Sequence, residues 1–253
     1  MATPRIQSVD RAFSLLNCLV DGGGVVSLPV MANRCGLSVA TAHRLLTTLE
    51  GLGVVIHIAP GRYRIGTALF RLTDGSSKER LFAEAAESSL QRISRTICST
   101  AHLGVLDSDD MVTYVAKAAR RAHFPPTVIG SKLEAYCSGL GKVLLAALPP
   151  DRLTRYLADG PFPALTSRTI TCPESLMAEL QLVARRGYAV ADCELFEDLR
   201  CVAVPIVNRS GQVVAALSAS SNASHLPRSQ LGKVAKQLSD HASTIAERLY
   251  PEP

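Results

Sequence analysis

The segment Tyr136–Ala147, YCSGLGKVLLAA, sets Gly-x-Gly-Lys ahead of an apolar helical run, the residue types of a phosphate-binding loop. A loop that cradles nucleotide phosphates needs G-x-x-x-x-G-K-[ST], with backbone N–H groups around the phosphates and a hydroxyl for magnesium. Counting back from Gly141-Lys142 places Tyr136 where the first glycine belongs, and Val143 stands where the hydroxyl is required. The pattern fails at both positions, which argues against nucleotide hydrolysis. The segment still suits a smaller anion. Ser138 caps a helix there, and the free N–H groups of Gly139, Leu140 and Gly141 carry its positive end into the space in front. A carboxylate fits that field, and Gly139, lacking a Cβ, lets a ligand approach the main chain. The alternative is that the glycines only allow close packing of helix on sheet. The residues by themselves leave both open.

Other reactive side chains form no such constellation. The seven cysteines, at 18, 35, 98, 137, 172, 193 and 201, make no C-x-x-C pair. An odd count scattered through apolar segments reads as free thiols in a reducing compartment. Cys137, Cys193 and Cys201 are expected simply to pack. The six histidines (43, 57, 102, 123, 225 and 241) show no ligand spacing, so neither a metal nor another cofactor is expected. No base and nucleophile stand at recognisable spacing, and adjacent Ser224 and His225 do not supply one, so an enzyme is not expected. No stretch approaches a membrane span and the N-terminus lacks a signal peptide's apolar core, which predicts a cytosolic protein.

These residues must be positioned by elements, and 253 residues suffice for two ordinary domains. Ile6, Val9, Phe13, Leu16 and Val20 recur at helical spacing, with Ser8 as a cap and Asp21–Gly24 ending the run. Ser27 and Pro29 open a short second helix that stops at Gly36. Ser38 caps a third, whose inward stripe is Val39, Ala42, Leu45, Leu46, Leu49 and Leu52. Helix, Gly-containing three-residue turn, helix is a helix-turn-helix. Residues 54–66 change to strand character around Ala59-Pro60-Gly61, predicting a two-stranded hairpin, a wing, with Arg62 and Arg64 on one face. TDGSSKER at 73–80 reads as a linker. This divides the chain into a DNA-binding domain (1–72), a linker (73–80) and a second domain (81–253). In the second domain the pattern predicts a long helix over 79–97 and strands at 100–106 and 111–117. Helices follow at 139–148, 150–158 and 173–186. CVAVPIVNRSGQVVAALSAS forms a strand pair about Asn208–Gly211, and a closing helix runs over 227–250 with Leu231, Val234, Leu238, Ile245 and Leu249 inward.

Charge is placed unevenly. Residues 1–75 hold seven arginines and four acids, so most of the chain's net +5 lies in the first third. With the inward stripe assigned, Ala40, Thr41, His43, Arg44, Thr47 and Thr48 occupy the outer arc of the third helix. Short polar and basic side chains there are what reading base edges in a major groove requires. Arg44 is the expected base or phosphate contact, with Ser38 and Thr41 toward backbone phosphates, Thr47 and the marginal His43 beside it, and Arg62 on the wing.

SVDRAFSLLNCL, GLSVATAHRLLTTLEGLGVV and GRYRIG resemble the N-terminal domain of the IclR family of bacterial transcriptional regulators. The similarity continues through CSGLGKVLLAALP, RRGYAVADCE and RCVAVPIVNRSGQVVAALSAS, in the family's order and spacing. The resemblance implies an α+β two-domain protein: a winged helix-turn-helix joined to a GAF-like α/β effector domain with an antiparallel sheet. It also implies homodimers or homotetramers on a palindromic double-stranded DNA operator, and a small organic acid as effector. The positions matching the family's effector pocket are Gly139, Leu140, Leu199, Cys201, Ser218 and Ser220, with Asp192 and Glu194 in the adjoining acidic segment. Asp192 and Glu194 have a second reading, as partners of Arg200 or Arg186. Leu195 stands where the family usually has a second acid, and Asp198 replaces a usual glycine in a turn that left-handed Asp backbone could keep. EAYCSGLGKVLLA looks most like the branch that senses aromatic acids.

Overall fold

The computed structural model describes residues 5–69, 78–97, 100–119 and 127–251, and the chain divides into two compact units at Ser77/Lys78. Residues 73–77 of the expected linker, Cys98 and His123 lie outside the described residues.

In the first unit, α1 (Gln7–Asp21), β1 (Val25–Ser27), α2 (Leu28–Arg34), α3 (Val39–Gly51), β2 (Val55–Ala59) and β3 (Arg62–Ile65) follow in order. Gly36 takes the left-handed backbone (φ +63) that ends α2 and turns the chain into α3. Ser38 caps α3, its Oγ accepting from Thr41 N at 3.1 Å. Leu15, Leu19, Met31, Ala42, Leu46 and Val55 close one core.

Four expectations need correction here. The inward residues of α1 are Leu15, Leu16, Cys18 and Leu19, while Ile6, Val9, Val20 and Phe13, the last 61% exposed, face out. Ser8 is not the cap; Ile6 holds that position without a side-chain bond. On α3 only Ala42, Leu46 and Leu49 are fully buried, and Val39 and Leu52 are exposed. The wing is three-stranded, in the order β1-β3-β2, because Val25–Ser27 pairs antiparallel with Arg62–Arg64.

The second unit contains α4 (Lys78–Thr96), β4 (Thr100–Leu106), β5 (Val112–Ala119), β6 (Lys132–Leu133), α5 (Gly139–Ala146), α6 (Pro150–Ala158), α7 (Pro173–Arg186), β7 (Ala189–Asp192), β8 (Leu199–Val207), β9 (Val213–Asn222) and α8 (Leu231–Leu249). A 3-10 turn (Arg228–Gln230) precedes α8, so the closing helix starts later than its apolar pattern suggests. β6 and β7, too short to show a period, were not expected. All six strands run antiparallel in one sheet, β6-β5-β4-β9-β8-β7.

Alternating side chains divide the sheet between two cores. Leu103, Val202, Val204, Leu217 and Ala219 meet the apolar arcs of α4 and α8. Val112, Tyr114, Ala203 and Ala216 meet α5, α6 and α7. Among the described residues no helix is long and apolar enough to cross a membrane.

Candidate functional site

In the first unit, α3 is set down by Ala42, Leu46 and Leu49, which turns His43, Arg44, Thr47 and Thr48 to solvent and leaves Thr41 half-buried. Thr47 Oγ1 donates to His43 O and Thr48 Oγ1 to Arg44 O, each at 3.0 Å, so both hydroxyls keep an acceptor lone pair outward. Ser38 and Thr41 share a hydroxyl hydrogen bond of 2.9 Å at the start of the helix. His43 does not pack into the core; it is exposed. Among the described residues the Arg44 guanidinium has no hydrogen-bond or ion-pair partner. It lines a groove shared with Ser8, Arg11, Thr41 and Thr48. Arg11 was missed by sequence reasoning, because the apolar stripe assigned to α1 put the wrong face inward.

The wing places Tyr63 inside and Arg62 and Arg64 outside, on the same face of β3. His57 Nε2 accepts from Gly61 N at 3.2 Å, and Gly61 (φ +67) makes the tight turn beneath Arg62.

In the second unit, strand register gathers a polar row. Cys201 lies opposite Ser220 and Ala203 opposite Ser218, while His102 lies opposite Ser218 on the other side. The N-terminus of α5 rests on this row. Ser138 caps it, its Oγ accepting from Gly141 N at 3.0 Å. A Cβ on Gly139 would fall 2.9 Å from Cys201 Sγ, and one on Gly141 would fall 2.1 Å from Ala135 O. Both glycines are thus needed for packing, and Gly139 also lines a cavity.

That cavity is lined by Gly139, Leu140, Leu199, Cys201, Ser218 and Ser220, together with His102, Tyr114, Leu133, Leu195 and others. Its volume is about 30 Å³, room for roughly two water molecules. Ser218 is 1% exposed and its Oγ has no hydrogen-bond partner among the described residues. Cys201 lies alongside; burial pushes its thiol up, and the Ser220 and Ser218 hydroxyls and the Gly139 N–H that face it act in the opposite direction.

The rings of His102 and Tyr114 pack at a tilt of 42° with centroids 4.9 Å apart, and His102 Nε2 meets Thr127 Oγ1 at 2.8 Å. Burial, aided by the Lys117 charge, holds His102 down at about 4, so its ring is neutral at pH 7. Sequence reasoning missed both residues because their place in the pocket follows from β4–β9 and β4–β5 register, including a shift between Leu103 and Gly104.

Asp192 does not line the cavity. Its carboxylate accepts from Arg200 Nε at 2.6 Å, Arg228 Nη2 at 2.5 Å and Arg168 Nη1 at 3.3 Å. Burial pushes it up, but Arg200 and Arg228 more than reverse this and hold it below the usual carboxylate range. Glu194 is not a surface partner of Arg186; its Oε1 takes a 2.6 Å bond from Lys142 Nζ, with both side chains buried. The lysine of the Gly-x-Gly-Lys motif is therefore committed to an internal ion pair. The left-handed residue of this segment is Cys193 (φ 63), while Asp198 keeps ordinary backbone and accepts from Asn222 Nδ2. Leu195, at the position of the usual second acid, forms part of the pocket wall.

A winged helix-turn-helix followed by an antiparallel-sheet domain with a small, largely apolar cavity defines a ligand-responsive, DNA-binding transcriptional regulator. Residues 8–56 match the IclR helix-turn-helix domain and residues 77–247 the bacterial transcriptional regulator IclR C-terminal family. The chain belongs to the IclR family. It is 33% identical to the Pca regulon regulatory protein of Pseudomonas putida over 88% of this chain and 77% of that one. It is 30% identical to the transcriptional repressor IclR of Escherichia coli over 87% and 81%. Among solved structures, the Thermotoga maritima IclR is similar at a TM-score of 0.63, with 28% identity covering 97% of this chain and 99% of that one. An IclR homolog from Microbacterium hydrocarbonoxydans, complexed with 4-hydroxybenzoate, shares the fold at a TM-score of 0.64 and 23% identity, over 96% and 99%.

Proposed function

We propose that the protein binds a palindromic operator through α3 and the wing, and that a small organic acid, aromatic in kind, occupies the cavity at the start of α5. Residues 1–72 are the DNA-binding domain in this reading, 73–80 the linker, whose last three residues already form the start of α4, and 81–253 the effector and oligomerisation domain. Arg44 and His43 reach base edges or phosphates from the exposed arc of α3, Thr47 beside them, Ser38 and Thr41 sit at the helix start near phosphates, and Arg62 grips from the wing. The acid's carboxylate takes the N–H field at Gly139 and Leu140 and the hydroxyls of Ser218 and Ser220, with Leu199, Leu140 and Cys201 as wall. The observation that carries this is the Ser218 hydroxyl, buried on the cavity wall beside the Cys201 thiol with no oxygen or nitrogen partner among the described residues, a donor free to turn to a bound carboxylate. Asp192 acts by holding the arginines behind the pocket.

The cavity as it stands is smaller than any aromatic acid. Side chains of the wall therefore move when such an acid binds, and that movement would distinguish a liganded from an unliganded domain. The acid of the 4-hydroxybenzoate complex is the first compound to try.

A thermal-shift screen against aromatic and aliphatic carboxylic acids tests the reading. A saturating ligand, at a hundred times its dissociation constant, adds about 2.7 kcal/mol. Hydroxybenzoate-type acids are expected to raise the midpoint of the wild type and not of a Ser218→Ala, Ser220→Ala protein. Silence from every acid, or an equal shift in the double variant, would take the acid out of this pocket. In parallel, Arg44→Ala is expected to weaken operator binding at least tenfold without altering the ligand response.

We also infer a homodimer. The exposed row Ile6, Val9, Phe13 and Val20 on α1 is a contiguous apolar stripe, which a second copy of the same helix would cover.

A further inference from the structure

On the sheet face opposite the cavity, α4 and α8 lie side by side. Their apolar arcs, Leu90 and Ile93 on one and Leu238 and Ile245 on the other, are buried in the core beneath. Along the outer flank they do not close on each other. They leave a cleft of about 400 Å³ lined mainly by polar groups, among them Arg92 and Thr96 from α4 and Asp240, His241, Thr244 and Arg248 from α8. Helices that pack only for stability fill such a seam with apolar or small side chains.

The polar groups of the cleft are arranged as donors. Arg248 Nη1 is anchored by Ala85 O at 3.0 Å and by Ser88 Oγ at 2.6 Å, which leaves the Ser88 hydroxyl proton free to be donated. Among the described residues the Arg92 guanidinium has no hydrogen-bond or ion-pair partner. His241 is half-buried between the helices, and burial together with the Arg92 charge holds its imidazole below the ordinary histidine range, with Asp240 opposing. Arg92, Arg248 and Asp240 are the charged groups that face it. Two arginines against one carboxylate leave net positive charge in a concave site, and protonation of His241 adds to it.

We propose that this cleft is a second ligand site, distinct from the effector pocket, for a small phosphoryl dianion: inorganic phosphate or a phosphate monoester. The planar fork of Arg92 and the anchored Arg248 supply paired N–H donors to tetrahedral oxygens, which is the geometry guanidinium offers phosphate. Ser88 and Gln237 complete the donor set, and the dianion offsets the Arg92 repulsion that adds to burial in lowering the His241 imidazole. Occupancy ties the helix that leads out of the linker region to the closing helix of the domain.

The sign of the pH response follows. A bound dianion favours imidazolium, so His241 titrates higher when the cleft is filled, and affinity rises as pH falls toward that midpoint. The test is an NMR titration of His241 in the full-length protein, assigned with a His241→Gln variant, in chloride and then in inorganic phosphate at matched ionic strength. The expected result is an upward, saturable movement of the His241 midpoint by about one pH unit, lost in Arg92→Gln, whose side chain is exposed and whose removal leaves the core intact. A parallel titration with glycerol 3-phosphate separates sources: a half-saturating concentration at least tenfold below that of inorganic phosphate assigns the site to a phosphorylated metabolite, and the reverse to free phosphate. A His241 midpoint unmoved by either compound, or moved equally in Arg92→Gln, overturns the proposal.

Discussion

Lys142 occupies the position of a phosphate-binding lysine, yet its ammonium is turned inward to Glu194, 52 residues further along the chain. The pair is incompletely satisfied. Glu194 Oε2 is buried without a partner among the described residues, and burial outweighs Lys142 in pushing the carboxyl above its usual range. Removing one partner strands the other, so Lys142→Met is expected to cost about 3–5 kcal/mol, whereas Lys142→Met with Glu194→Leu should recover most of it. Denaturant midpoints of the two variants check this, and equal losses in both would mean the lysine acts through packing. His102 makes a second residue-level case. Its unfolded form takes a proton near pH 6.5 and its folded form only near 4, so between those values the unfolded chain binds the extra proton and stability falls as pH falls. The slope is about 1.4 kcal/mol per unit within that window and nothing above it. Thermal midpoints measured from pH 7.5 to 4.5 should fall less steeply for His102→Gln than for the wild type; parallel curves would relieve His102 of the effect.

At the scale of elements, α1 shows where a period is sufficient and where it is not. The helix carries two overlapping apolar stripes that share Leu16: Ile6, Val9, Phe13, Leu16 and Val20, and Ala12, Leu15, Leu16 and Leu19. Both satisfy helical spacing, and only the position of α3 selects the second for the core. The first is then left outside. Phe13→Ser is expected to change the stability of an isolated protomer by no more than about 0.5 kcal/mol, because an exposed side chain loses little burial, while lowering the dimer fraction seen by sedimentation. A variant that unfolds the protomer, or one that dimerises unchanged, removes α1 from the interface. The helix-turn-helix was legible because its signals are local: Ser38 as cap, Gly36 as stop, Ala42, Leu46 and Leu49 at one spacing. The same holds for Ser218 and Ser220, which alternation puts on one face of β9. What the sequence did not disclose depends on register across distant strands. Val25–Ser27 joins the wing through backbone bonds that three residues cannot advertise, and His102 enters the pocket through its pairing with Ser218. Asp192 was placed by motif in the pocket, but three arginines from separate parts of the chain, Arg168, Arg200 on β8 and Arg228, decide where its carboxylate points.

For the whole molecule, an operator surface in one unit and an effector cavity in the other imply a coupling free energy, and that quantity is reciprocal. If the acid changes operator affinity by a given factor, the operator must change affinity for the acid by the same factor. Couplings of this kind are typically about 1–3 kcal/mol, a change of roughly 5- to 150-fold. Only a ligand with different affinities for two states of the second unit shifts the balance between them. The expected outcome is that calorimetric dissociation constants for the acid, measured with and without saturating operator duplex, differ by the factor by which saturating acid changes duplex binding, whichever direction it takes. Ser218→Ala should shrink acid affinity while leaving operator affinity in the absence of acid unchanged, because its hydroxyl serves the cavity alone. A coupling factor of one, in a protein that binds both partners, would make the second unit a passive dimerisation body. Unequal factors would instead show that the acid acts by altering how many copies assemble, and the equality would then be restored only when protomer concentration is held far above the assembly constant.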